Sequence, residues 1–134
     1  MKKFILVLLC MMLLFMGGCS IPYTHPIGTW ESTNPELTIT FPDIRNEENS
    51  NTGTIKRNGT VEQVICLFGY DAVVEIFPLS AEHDGSVYDD ECYFKGEISW
   101  DNDKLLLTTF NSHVSDIPND TTITFLPQDD ASTY

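Results

Sequence analysis

The sequence predicts one all-β domain behind an N-terminal signal peptide: a single antiparallel up-and-down barrel of about eight strands. Three observations carry that expectation. Apolar and polar residues alternate with period two in successive segments, most clearly in Leu37-Thr38-Ile39-Thr40-Phe41, as expected for strands with one buried face. The segments are separated by turn formers, above all Asn58-Gly59, whose tolerance of positive φ suits the tight turn of a hairpin. No helical period follows the signal, and closure is the simplest way for eight consecutive strands to avoid exposed edges.

The order of elements starts with the signal. Lys2 and Lys3 precede an unbroken apolar run over residues 4–16, too short to be a stable membrane-spanning helix, and Gly17 and Gly18 lead to Cys19. Small residues before a cysteine let a peptidase approach the backbone, and the thiol is the one group there that could take a thioether-linked lipid. Met16-Gly17-Gly18-Cys19 therefore resembles a bacterial lipobox, with Met16 where Leu is more frequent. The resemblance implies a signal peptide over residues 1–18, a lipid on Cys19, and a domain on the extracytoplasmic side of the cell membrane or outer membrane. The alternative is an ordinary cleaved signal with an incidental Cys19. Residues 19–26 read as a tether, in which Pro22 and Pro26 disfavour helix.

The barrel is expected over residues 27–128. Residues 27–32, with Gly28 and Trp30, form a first strand stopped by Asn34-Pro35, and residues 37–41 the second. A polar loop at 43–53 leads to a hairpin of 54–57 and 60–68 about Asn58-Gly59, and Gly69 turns the chain into 72–77, which Pro78 ends. After an acidic loop at 80–91 come 92–100, a tight turn at Asp101-Asn102-Asp103, and 104–110. A third polar loop, 111–120, precedes the last strand at 121–126, and residues 129–134 read as a polar tail. Trp30, Phe41, Phe68, Phe94, Trp100, Phe110 and Phe125 are expected to point inward. Eight strands enclose a space that side chains of this size fill, leaving at most a small apolar pocket at one mouth.

Composition narrows the functions. The chain has 7 basic and 20 acidic residues, and loss of Lys2 and Lys3 with the signal leaves a 116-residue mature chain with a formal charge of −15. Such a charge repels nucleic acid and anionic lipid, so nucleic-acid binding is excluded and any membrane attachment must be the lipid itself. With Cys10 removed and Cys19 lipidated, Cys66 and Cys92 remain. An oxidising compartment permits a disulfide between them, and the other reading is two separately buried thiols.

No stretch carries catalytic chemistry. His25, His83 and His113 lack metal-ligand spacing, so no metal and no cofactor are expected. The run Ser112-His113 with Ser115 and Asp116 holds the residue types of a catalytic triad but not residues able to build its geometry. His83, Asp84, Asp89, Asp90 and Glu91 form the densest acidic cluster, whose spacing does not match a calcium-binding loop. The chain therefore reads as a non-enzyme without catalytic residues.

Gly28-Thr29-Trp30 on the first strand, with Phe94-Lys95-Gly96-Glu97 leading through a hairpin to Leu105-Leu106-Leu107, resembles the small lipocalin-like, calycin-type barrels of bacterial lipoproteins. The resemblance implies that Gly28 and Trp30 form the barrel floor, the indole lying beneath a basic side chain of the last strand. Residues 121–126 hold no Arg or Lys, so the cation is absent or comes from elsewhere, for instance Arg45. The functional expectation is a membrane-anchored, non-enzymatic binding module for a small apolar ligand or an envelope partner. The alternative is an inhibitor or stress-sensing module directed at a cationic enzyme such as lysozyme.

Overall fold

A computed structural model describes residues 24–45, 51–69, 71–83, 86–87 and 92–134. Eight long strands form the wall: β1 (Pro26–Thr33), β2 (Glu36–Phe41), β3 (Thr52–Arg57), β4 (Thr60–Phe68), β5 (Val73–Pro78), then β8 (Phe94–Asp101), β9 (Lys104–Ser112) and β10 (Thr122–Pro127). Two short strands, β6 (Glu82–His83) and β7 (Ser86–Val87), form a separate ladder between β5 and β8, and β11 (Ser132–Thr133) ends the chain. Every pairing is antiparallel, successive wall strands pair in chain order with β5 joining β8, and β10 returns to β1 through Trp30 opposite Pro127 and Glu31 opposite Leu126. The molecule is thus the closed up-and-down barrel expected from the strand pattern, an architecture consistent with a lipocalin-like fold.

Local chemistry explains the turns. Asn58 and Gly59 both adopt positive φ, 50° and 77°, as a two-residue hairpin with right-twisted strands requires. Asn102 does the same at the β8–β9 turn, with φ of 56°. Period-two alternation then sets the core: Leu37, Ile39 and Phe41 of β2 and Ile123 and Phe125 of β10 are all buried.

Two expectations are corrected. Phe110 points outward and is 47% exposed. Leu105, Leu107 and Thr109 take the inward positions of β9, so Phe110 falls on the outer face; a register shift pairs Gly96 with Thr109 and Lys95 with Asn111, leaving Phe110 as the extra residue of a bulge. Residues 129–134 are not a free tail: Pro26 and Ile27 of β1 pair with Thr133 and Ser132, and His25 and Tyr134 exchange backbone hydrogen bonds of 2.7 and 2.9 Å. The barrel wall accordingly begins at Pro26, inside the segment read as tether. Gly28, with φ of +79°, makes this docking feasible, because a Cβ there would collide with the Asp130 carbonyl.

Of the two readings left open for Cys66 and Cys92, the structure has the separately buried thiols. The two thiols are not bonded to each other, since they lie on opposite faces of the barrel wall. Cys66 is inside the main core, where burial pushes its thiol up to about 12. Cys92 packs outside, with Ile65, Phe77 and Ala81, and its thiol donates to the Ile76 carbonyl at 3.3 Å. This outer cluster accounts for the apolar residues on both faces of β4 and β5, which a wall with one wet face would not need.

Candidate functional site

Antiparallel alternation gives the barrel two unlike ends. The base holds the start of β1, the C-terminal strand β11, and the turns at 69–72 and 102–103. The opposite, distal mouth holds the turns at 34–35 and 58–59, the end of β5, the start of β8, and the connection at 113–121.

The base is closed by packing. Trp30 is 2% exposed, and its Nε1 donates to the Ile27 carbonyl at 3.1 Å, which aims the indole toward this end. Trp100 meets it edge to face, and Phe68 fills the space between Phe41 and His25. Arg45 stacks on Tyr134 and pairs with Asp43, so the cation–aromatic contact at Arg45 is with Tyr134 rather than with Trp30.

The interior is filled. Buried side chains from all eight wall strands form one cluster; Val114 and Ile117 join it as buried members from outside the wall, and the partly buried Tyr93 and Ala131 pack against it. Val114 and Ile117 come from the connection at 113–121, which sequence reasoning read as a polar loop. They sit over the distal mouth as a plug.

Around that plug lies a charged rim. The Tyr93 hydroxyl donates to Glu62 Oε2 at 2.6 Å, and Arg57 stacks over the Tyr93 ring with Cζ 5.2 Å from the centroid. Burial and the Glu62 carboxylate push the Tyr93 phenol above its ordinary range. Arg57 also faces Asp116 of the plugging connection, Nη1 to Oδ1 3.8 Å. Beside this cluster, Ile55, Arg57, Asn58, Thr60 and Glu62 line a cavity of about 190 Å³. No sequence motif groups the four rim residues, because they come from β3, β4, the approach to β8 and the β9–β10 connection.

A second cavity, an open trough of about 500 Å³, lies on the outer face of β1, β2 and β3. Thr29, Glu31, Glu36, Thr38 and Lys56 form its floor, and Gln128, Asp129 and Asp130 its wall. Asp130 is held there by the backbone N–H and hydroxyl of Thr29, at 3.1 and 3.0 Å. Both cavities are lined mainly by polar groups, unlike the apolar pocket the sequence left open.

The remaining site residues do not converge. Cys19, the lipidation residue, lies outside the described residues, as do Asp84, Asp89, Asp90 and Glu91 of the acidic loop. His25 is at the base and His113 at the distal mouth, and among the described residues no group of His, Cys, Asp or Glu could hold a metal ion. Ser112 donates to and accepts from the backbone of Val114, so it helps shape the connection. Among the described residues, no helix is long and apolar enough to cross a membrane. No protein-family model matches the chain, and neither the curated proteins nor the solved structures include a significant match.

Proposed function

We propose that this chain is a bacterial lipoprotein, anchored through lipid on Cys19, whose barrel is a non-enzymatic binding module that works through its distal mouth. The observation that carries the reading is the placement of the chain ends. The segment leading from Cys19 joins the barrel at His25 and Pro26, where β11 clasps it to the base. A lipid there leaves the distal mouth, with its Val114–Ile117 plug and the Arg57, Glu62, Tyr93 and Asp116 rim, facing away from the membrane. The ligand is a small apolar molecule at that mouth or an envelope protein seated on the rim.

The trough favours a second reading, an inhibitor or sensor of a cationic enzyme such as lysozyme. Glu31, Glu36, Asp129 and Asp130 face it against Lys56 alone, and the charge of the mature chain would steer a basic partner.

Native mass spectrometry of the protein purified from its own host tests the first reading. A retained small molecule or stoichiometric envelope partner supports it. Binding to lysozyme that weakens steeply with salt, with no other retained species, would favour the second. For the anchor, Cys19→Ala should abolish metabolic labelling by a fatty-acid analogue; a labelled Cys19→Ala protein refutes lipidation at this residue.

A further inference from the structure

We infer that residues 113–121 form a lid whose tip is latched across the distal mouth by Arg57 and Asp116, so that charge controls access to the apolar top of the barrel. The inference rests on the reading of the distal mouth as the binding end.

The topology makes the latch a span rather than a local contact. The connection joins β9 to β10, and around the closed ring β10-β9-β8-β5-β4-β3-β2-β1 the far side is where β3 and β4 lie. Arg57 ends β3, so its pairing with Asp116 reaches from one side of the mouth to the other. Tyr93, lying before β8, also reaches β4 through Glu62 and carries the Arg57 guanidinium on its ring. The cation is thereby held in place to meet the lid.

Base and tip of the lid are fastened differently. At the base, buried Thr109 donates its hydroxyl to the Pro118 carbonyl at 2.6 Å and accepts from the Thr121 N–H at 3.2 Å, and the Asn119 side chain accepts from the Ser112 N–H at 2.6 Å. These short bonds belong to the barrel end and move with it. The tip, from Val114 to Ile117, bonds its own backbone only locally, to Ser112 and between Ile117 and Val114, and is held across the mouth by apolar insertion and by a charge pair whose side chains are 23% and 48% exposed. An exposed pair at 3.8 Å is weak and screened by salt. A latch that contributes little is one that salt, or a competing charge on a partner, can release. Withdrawal of Val114 and Ile117 uncovers the apolar core cluster that they join, which would accept an apolar ligand.

Amide hydrogen exchange on the purified protein tests the latch at about 20 mM and about 500 mM NaCl, where the screening length differs several-fold. Asp116→Asn should speed exchange of the Val114 and Ile117 amides by about two- to fivefold, the shift an exposed pair is worth. High salt should do the same to the native protein and add nothing to Asp116→Asn. Arg57→Gln should match Asp116→Asn, while Asp103→Asn, at the opposite end, should change neither amide. Unchanged tip exchange in Asp116→Asn overturns the latch, and so does equal acceleration of the Leu105 and Phe125 amides, which would mean global loosening. Fluorescence of the neutral probe N-phenyl-1-naphthylamine separates the latch from the function: faster tip exchange with no gain in probe binding supports the lid and removes the apolar-ligand reading.

Discussion

Trp30 and Trp100 meet edge to face at the base of the barrel, their ring centroids 5.5 Å apart and their planes inclined by 66°. The two indoles are not equivalent. Trp30 is buried and its N–H is satisfied by Ile27, whereas Trp100 is partly exposed and its buried Nε1 has no acceptor among the described residues. Trp30→Ala should therefore lose about 3–5 kcal/mol, as large buried aromatics do. Trp100→Ala should lose less, because part of its surface is already wet and truncation removes an unsatisfied donor. Urea denaturation of the two variants checks the order, and an equal or reversed order would remove Trp30 from the floor.

Gly28→Ala should open the C-terminal clasp. The new Cβ would collide with the Asp130 carbonyl at a backbone angle, φ of +79°, that side chains disfavour, so the cost is about 1–3 kcal/mol. Because the collision is with the docked segment, exchange at the His25 and Tyr134 amides should rise more than at core amides such as Ile39.

Cys66 and Cys92 should both be alkylated when the protein is unfolded in urea without reductant, as peptide mapping would show. In the native protein Cys66 should stay unmodified, since burial holds its thiol near 12 and keeps reagent out. A Cys66–Cys92 disulfide peptide recovered from the host would contradict the placement of these thiols on opposite faces.

His25 should give the fold a slope with pH. Its imidazole packs edge-on against Phe68 at 4.8 Å, and burial holds its pKa below the ordinary 6.5. The unfolded chain therefore binds more protons in that window, so stability present above about pH 6.5 is lost as pH falls through the folded value. The native protein should lose urea resistance between about pH 7.5 and 5.5 relative to His25→Gln; a constant difference would mean that His25 does not titrate differently on folding.

Particular residues mark how far the sequence was readable. The inward set of β2 follows from alternation alone, because Leu37, Ile39 and Phe41 repeat without interruption. On β9 the same rule misplaces Phe110, since Leu105-Leu106-Leu107 offers two apolar phases and only pairing with β8 selects one. Val114 and Ile117 were hidden in a segment rich in turn formers; two apolar residues three apart were the available hint, and nothing local says that they fold back over a mouth.

The sequence by itself determined the eight wall strands and their turns, because period-two burial and turn conformations are local properties written within a few residues of one another. It also carried the acidic charge and the lipobox-like segment, which depend on composition and adjacency alone. The tertiary structure decided what meets across the barrel: Trp30 with Trp100, Arg57 with Asp116, Tyr93 with Glu62, and Cys66 apart from Cys92. Those relationships depend on shear and ring closure, which bring together residues dozens of positions apart, and a side chain's partner across a closed ring has no signature in its own neighbours.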